Sequence, residues 1–294
     1  MKSMARLPRD NAASGIMDVW DPGTFDTELL EFLQRHTDAI LSYFETDRDI
    51  FLSHDLGRGA DRPILRPENP HADAYYALLE AVSELMVSRS MRAFHYTRLT
   101  DLEVMEVRQS GIELSTPATF RRRLDAVIAS DGLSADTADR LYDASPFQSD
   151  QQKSRSGKFW MTSHPIEVSD AGVRPLMERW GGEVASFWIN DETASEPLRK
   201  LGKARIVEIA TPIGATNHAY NAGEAAVATF GRARGAIPDK SAFDLYVKKP
   251  LPPNAVLTIH TEGETAFKAV GTSYPPGFVD VDLGRWKELT GEED

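Results

Sequence analysis

Three short stretches of the chain bring together an imidazole, hydroxyls, aromatic rings and a carboxylate. The first is His95-Tyr96-Thr97, the second covers residues 157–163 (GKFWMTS), and the third contains Asp244. An imidazole and a hydroxyl can hold a sugar, and an aromatic face can stack on a flat cationic ring. A carboxylate beside them can stabilise a positive charge that develops while a glycosidic bond breaks. These residue types therefore lead to the hypothesis that the three stretches form a ligand-binding site.

A second acidic candidate follows a pair of glycines in the segment 180–183 (WGGE). Glycines let the backbone approach a ligand closely, so Glu183 is an alternative to Asp244 as the working carboxylate. The three consecutive arginines at 121–123 fall on a predicted helix, and such a run is typical of a solvated helix face.

Sequence motifs for several common chemistries are absent. The chain has no phosphate-binding G-x-x-x-x-G-K-[ST] loop, no dinucleotide G-x-G-x-x-G turn, no H-E-x-x-H and no G-x-S-x-G. Its 7 histidines are scattered, and none pairs with another at the spacing of metal ligands. With no cysteine, a thiolate nucleophile and thiolate metal ligands are excluded, and we expect no metal.

Composition describes an acidic globular protein. The 294 residues are 41% hydrophobic and 27% charged, with a formal net charge of -12. Because nucleic-acid binding relies on Lys and Arg at phosphates, this charge favours a protein partner over nucleic acid. No secretory signal and no apolar run long enough to cross a membrane is present, so we expect a cytoplasmic protein without membrane contact.

Apolar periodicity predicts helices in the first 90 residues and interleaved strands and helices afterwards. The predicted helices are 24–45, 72–88, 101–112, 117–132, 133–145 and 222–235. The predicted strands are 92–99, 158–163, 183–189, 204–211, 242–249 and 255–261. Thr24 and Ser134 are predicted N-caps, and Gly111 a C-cap. Several strands follow one another without a crossover helix, which favours an α+β fold over a doubly wound sheet.

This order of elements resembles the ADP-ribosyltransferase superfamily, in its poly(ADP-ribose) polymerase and diphtheria-toxin branch, over roughly residues 92–262. In that family a first strand carries a His-x-Thr element, followed by a helix and Gly-Leu/Ile. A second strand has a Gly-x-Gly-Ile-Tyr-Phe-Ser/Ala-like sequence, and a late strand opens with Glu. The matching positions here are His95-Tyr96-Thr97, Gly111-Ile112, residues 157–163 and Asp244.

The resemblance implies a fold as well as a site. We expect an N-terminal arm and helical region over residues 1–90. An ADP-ribosyltransferase-like α+β domain with a split β-sheet core is then expected over 91–294. That domain would carry a helical insertion at about 117–156.

The resemblance also implies a mono-ADP-ribosyltransferase that uses NAD as its substrate and cleaves the nicotinamide–ribose bond. His95 would hold the ribose, Thr97 would lie beside the nicotinamide, and Phe159 or Trp160 would stack on it. The expected catalytic candidates are His95, Asp244 and Glu183, and the expected NAD-binding residues are Tyr96, Thr97, Phe159, Trp160, Thr162 and Ser163. Bacterial members of the family often act as toxins, effectors or defence factors, and the resemblance implies such a role here by analogy.

Two departures from the family pattern leave alternatives open. Asp replaces Glu at position 244, which shortens the side chain by one methylene, and the family's tyrosine has no counterpart at its usual place. One alternative is therefore a catalytically inactive module on the same fold that binds NAD, ADP-ribose or a partner. The other is a metal-dependent hydrolase in which His95, Glu183 and Asp244 converge.

Overall fold

A computed structural model describes residues 15–53, 67–189, 192–238 and 242–272. Six strands form one sheet. They are β1 (Ile16–Met17), β2 (Ser90–Leu99), β3 (Phe159–Thr162), β4 (Lys203–Pro212), β5 (Asp244–Val247) and β6 (Val256–Thr261).

Helices precede, interrupt and cover this sheet. The first six are α1 (Thr27–Arg35), α2 (Thr37–Ser53), α3 (Ala72–Met86), α4 (Asp101–Ser110), α5 (Pro117–Ala129) and α6 (Ala135–Ala144). The later ones are α7 (Gln152–Arg155), α8 (Arg174–Glu178), α9 (Gly182–Ser186), α10 (Glu192–Lys200), α11 (Ala219–Arg232) and α12 (Thr265–Val270). The fold is therefore α+β, as predicted.

The sheet is open, and its strands follow the order β5-β3-β2-β4-β6, with every neighbouring pair antiparallel. The short β1 pairs in parallel with the start of β2. Strands β2 and β4 pair along their whole length, from Ser90 opposite Pro212 to Leu99 opposite Lys203. By contrast, β2 and β3 share only the pair Phe94 and Thr162. The sheet thus has a weakly paired boundary between β2 and β3, and these two strands separate on either side of the pair of Phe94 and Thr162.

Capping side chains explain where α4, α5 and α6 begin. Thr100 and Glu103 form a reciprocal capping box at the start of α4. Ser134 accepts a hydrogen bond from the Thr137 amide at the start of α6, as predicted. Gly111 ends α4 with a φ of 85°, and a Cβ there would lie 2.0 Å from the Leu251 carbonyl oxygen. Only glycine fits that position.

One hydrophobic core joins the N-terminal helices to the sheet. Leu33 of α1, Ile40 of α2 and Leu79 of α3 belong to the same buried cluster as Ile209 of β4 and Phe230 of α11. A second cluster lies under α5 and α6 and includes the fully buried Trp180. Residues from the predicted N-terminal region and the predicted α+β domain therefore pack together.

The predicted strand 183–189 is wrong. Gly181 and Gly182 have positive φ angles of 80° and 55°, and helix α9 begins directly after them. The apolar residues of this segment, with Ala185 buried and Val184 and Ile189 partly buried, pack on the cluster under α5 and α6. The short apolar run fits both the helical and the strand period, and packing against this cluster selects the helix.

The predicted helix 24–45 is also incorrect as a single element. It is divided at His36 into α1 and α2, and Asp26 rather than Thr24 caps α1 by accepting from the Leu29 amide. Asp26 also pairs with Arg89 at 2.6 Å. Residues 1–14 of the predicted N-terminal arm lie outside the described residues.

A buried ion cluster crosses three neighbouring strands of the sheet. The Glu208 carboxylate of β4 accepts from Arg92 Nη2 of β2 at 2.7 Å and from His260 Nε2 of β6 at 2.8 Å. Glu208 is 5% exposed. Burial alone would raise the pKa of Glu208, but the His260 hydrogen bond and the Arg92 charge outweigh it, so the pKa is lowered. The ionised form therefore stabilises the folded state.

We expect Glu208→Gln to lower the free energy of unfolding by about 3 kcal/mol at pH 7, because Arg92, whose side chain is largely covered, would lose its counter-charge. Urea denaturation measures this, with the exposed Glu45→Gln as control, expected within about 0.5 kcal/mol of the parent. The folded pKa of Glu208 is lowered, so its stabilisation is complete above the unfolded value of about 4.3 and lost as the pH falls through the folded value. Equal stability of both variants at pH 7 would contradict the prediction.

Candidate functional site

A cleft of about 760 Å³ opens where β2 and β3 separate. Its walls come from β2, β3 and the start of β5, from helices α4 and α5, and from the segment around α9. Because the two strands diverge there, side chains from both faces of β2 reach the cleft. The incomplete pairing of β2 with β3 thus leaves a cleft between these strands.

The structure brings eight of the nine predicted site residues to this one cleft. They are His95, Tyr96, Thr97, Phe159, Trp160, Thr162, Glu183 and Asp244. The ninth, Ser163, is buried and joins β3 to the residue before β5. Its amide donates to the Phe243 carbonyl at 3.0 Å, and its hydroxyl accepts from the Phe243 amide at 3.2 Å. Ser163 therefore positions the strand that carries Asp244.

The His95 imidazole fills the gap between the two separating strands. Its Nδ1 lies 2.8 Å from the Trp160 carbonyl oxygen, and its ring packs against Phe159 at 4.4 Å between centroids. Burial lowers the pKa of His95 from 6.5 to about 4. The ring is therefore neutral at pH 7, and because a carbonyl only accepts, Nδ1 carries the proton. Nε2 is left as a hydrogen-bond acceptor.

Tyr96 fixes one wall of the cleft. Its hydroxyl donates to the Ile166 carbonyl at 3.1 Å and accepts from the Ile166 amide at 2.6 Å. Both bonds hold the segment after β3 against β2. The Tyr96 hydroxyl therefore stabilises the wall of the cleft and is not left to bind a polar atom of a ligand. Thr97 is buried and follows His95 on the same face of β2.

The two candidate carboxylates differ in their electrostatic partners. Asp244 lies opposite Thr162 in the register of β3 and β5. Burial raises the pKa of Asp244, which the charge of nearby His218 partly offsets. Glu183 lies 2.7 Å from Arg155 Nη2, and burial raises its pKa against the effect of that cation. Among the described residues Asp244 has no Lys or Arg partner, whereas the charge of Glu183 is already balanced.

Four cationic residues also line the cleft and were missed as site residues from the sequence. They are Arg122, Arg123, Arg155 and Lys158. Arg121 does lie on a solvated face, paired with Asp125 and Asp139, as the run of arginines predicts. Consecutive residues of a helix point in different directions, so Arg122 and Arg123 line the cleft although Arg121 does not. The helical period could have predicted which of the three arginines face the cleft, once the core-facing side of α5 was known.

Glu103 organises the cationic side of the cleft. Its carboxylate accepts from Arg123 Nε at 2.7 Å and from the Trp180 indole Nε1 at 2.8 Å. Burial would raise the pKa of Glu103, but Arg123, the Thr100 amide and Trp180 together lower it. The Arg123 guanidinium also lies 4.8 Å from the Trp180 ring centroid, and its Nη2 is buried without a hydrogen-bond partner. One donor of Arg123 is thus unused.

The arrangement suits a ligand with a flat ring, sugar hydroxyls and negative charge. The neutral His95 imidazole packs beside Phe159 on one face of β2 and β3, Asp244 shares the other face with Phe94 and Thr162, and the cations line the same cleft. Within the described ranges, no group of three or more His, Asp and Glu side chains could hold a metal ion. None of the helices in those ranges combines the length and apolar character needed to cross a membrane.

Comparison of the chain with protein-family models, curated proteins and solved structures finds no match in any of the three. The function must therefore be inferred from the site itself.

We expect His95 to remain a neutral, Nδ1-protonated imidazole throughout the range from pH 7 to pH 5, because its pKa is lowered to about 4. Nitrogen-15 NMR of the labelled imidazoles measures both the tautomer and the titration, and His95→Ala assigns the signal. A transition near the ordinary value of 6.5, or protonation at Nε2 in the neutral form, would contradict the geometry described for the gap between the strands.

Proposed function

We propose that this protein is an NAD-dependent mono-ADP-ribosyltransferase. The observation that carries the proposal is the convergence of three separate sequence elements on one cleft. His95 on β2, Phe159 and Thr162 on β3, and Asp244 on β5 lie on three consecutive strands of the sheet. Those are the elements on which the resemblance to ADP-ribosyltransferases rests, and they are far apart in the chain.

His95 acts in this proposal by binding the sugar. Its Nε2 accepts a hydrogen bond from a ribose hydroxyl, while Nδ1 stays bonded to the Trp160 carbonyl. A neutral imidazole also avoids placing a second positive charge beside the cationic nicotinamide ring. Phe159, whose ring packs beside His95, offers a face on which the nicotinamide ring stacks.

Asp244 is the catalytic carboxylate of the proposal. Nicotinamide leaves with the electron pair of its bond to ribose, and the positive charge that develops on the sugar is stabilised by a nearby carboxylate. The acceptor then attacks the same carbon and loses a proton. Asp244 is favoured over Glu183 because the Glu183 charge is balanced by Arg155 at 2.7 Å.

The cations of the cleft account for the remaining part of the substrate. NAD carries a pyrophosphate, and arginine binds phosphate oxygens through two parallel hydrogen bonds. Arg123 has a buried Nη2 without a partner, and Arg155 has a buried Nε in the same condition. Each of these two arginines also pairs with a glutamate of the cleft, Glu103 or Glu183, so a phosphate would bind at the donor that is left over. For the acceptor, the net charge of -12 favours a protein over nucleic acid.

Calorimetric titration with NAD, followed by an assay for free nicotinamide, tests the proposal directly. Binding with nicotinamide release is the expected result. Binding without release, in the presence of candidate protein acceptors, would replace the transferase by an inactive NAD-binding module. Absence of binding at about 1 mM NAD would overturn the proposal.

Asp244→Asn is expected to reduce nicotinamide release about 100-fold or more, because the amide cannot stabilise the developing positive charge. NAD affinity should change by less than about fivefold, since the substitution keeps the shape of the side chain. Glu183→Gln is the matched control and should keep release within about fivefold of the parent. If Glu183→Gln abolished release and Asp244→Asn left it intact, the catalytic assignment would be reversed.

A further inference from the structure

Two packed helices away from the cleft each carry a tyrosine followed four residues later by a glutamate. Tyr76 and Glu80 lie on α3, and Tyr220 and Glu224 lie on α11. Residues four apart lie on the same side of a helix, so each helix presents one ring and one carboxylate together.

The packing of the two helices makes these pairs neighbours. Gly223 of α11 lies so close to α3 that a Cβ on it would be 3.1 Å from the Ser83 hydroxyl and 3.3 Å from the Ser83 amide nitrogen. Partial burial and the proximity of Glu224, Tyr76 and Glu80 raise the pKa of the Tyr220 hydroxyl. The four side chains therefore form one surface, which we call the tyrosine–glutamate patch.

The rings of the patch are accessible but supported from below. Tyr76 is 48% exposed and Tyr220 is 45% exposed. Beneath them Tyr75 is buried and stacks on Tyr43 with ring centroids 3.7 Å apart. The Tyr76 ring meets Tyr75 edge-on at 5.6 Å, and its hydroxyl lies 3.4 Å from that of Tyr43. At least one exposed ring is thus held in place by its neighbours.

The carboxylates of the patch have no cation in the described part of the chain. Burial raises the pKa of Glu224, and no positive group offsets this effect. Neither Glu80 nor Glu224 forms an ion pair with another described residue. A half-buried carboxylate without a counter-charge is costly, so a cation at this surface would be bound favourably.

We propose that the tyrosine–glutamate patch binds an arginine side chain of a protein partner. A guanidinium is planar, stacks on aromatic faces and donates parallel hydrogen bonds to carboxylates, which matches two rings and two carboxylates on one surface. Lysine offers only a compact charge and no planar stack. The proposal does not depend on the cleft or on NAD.

The test uses the full chain and a fluorescently labelled peptide of three arginines separated by glycines, with anisotropy as the measurement. Matched peptides carry lysine or the neutral isostere citrulline instead. We expect saturable binding of the arginine peptide below about 1 mM, weaker binding of the lysine peptide and none of the citrulline peptide. Failure of the arginine peptide to bind, or equal binding of the citrulline peptide, would overturn the proposal.

Variants locate the binding. Glu80→Gln combined with Glu224→Gln should weaken the arginine peptide at least about tenfold, and Tyr76→Leu with Tyr220→Leu about fivefold. Asp143→Asn removes the same type of charge from an exposed position on α6, away from the patch, and should leave binding unchanged. Circular dichroism melts establish that each variant is folded. Equal weakening by Asp143→Asn would show that the peptide responds only to non-specific charge, and competition by Mg²⁺ at about 1 mM would indicate a metal site. Either result would overturn the proposal.

Discussion

The incomplete pairing of β2 with β3 is the constraint on which the site depends. Strand β2 is fully paired with β4 on one side, but touches β3 only through Phe94 and Thr162. A sheet that separates leaves backbone groups to be satisfied by other means, and the His95 imidazole does this by donating to the Trp160 carbonyl. The same side chain therefore closes the gap in the sheet and forms the floor of the cleft, and its neutral state follows from that position.

Electrostatic pairing determines which charges of the cleft remain for a ligand. Glu103 accepts hydrogen bonds from one donor of Arg123 and from the Trp180 indole, and Glu183 forms an ion pair with Arg155. These pairs hold Arg123 and Arg155 in the lining of the cleft and leave one buried nitrogen donor on each arginine unpaired. Asp244 has no such cationic partner among the described side chains. The asymmetry between the two carboxylates, rather than their position in the chain, supports different roles for them.

The N-terminal helices contribute to the site indirectly. They bury their apolar sides in the same core as the sheet, and α3 packs closely on α11. Helix α11 begins next to His218, whose ring lies 5.4 Å from that of Tyr246 on β5. The helices thus support the edge strand that carries Asp244, and on their outer side they present the tyrosine–glutamate patch. The patch depends on the close approach of α3 and α11 that Gly223 permits.

The sequence by itself determined the helices with strong caps and the α+β class, because capping and apolar periodicity are local properties of the chain. It also singled out eight residues that line one cleft, because their types and order follow a recognisable pattern. It was wrong about residues 183–189, where a short apolar run fits either period and only packing under α5 and α6 selects a helix. The cations of the cleft and the pairing of Glu183 with Arg155 were decided by the tertiary structure alone. Which side chains meet across the chain depends on how helices pack on the sheet, and no local pattern encodes that contact.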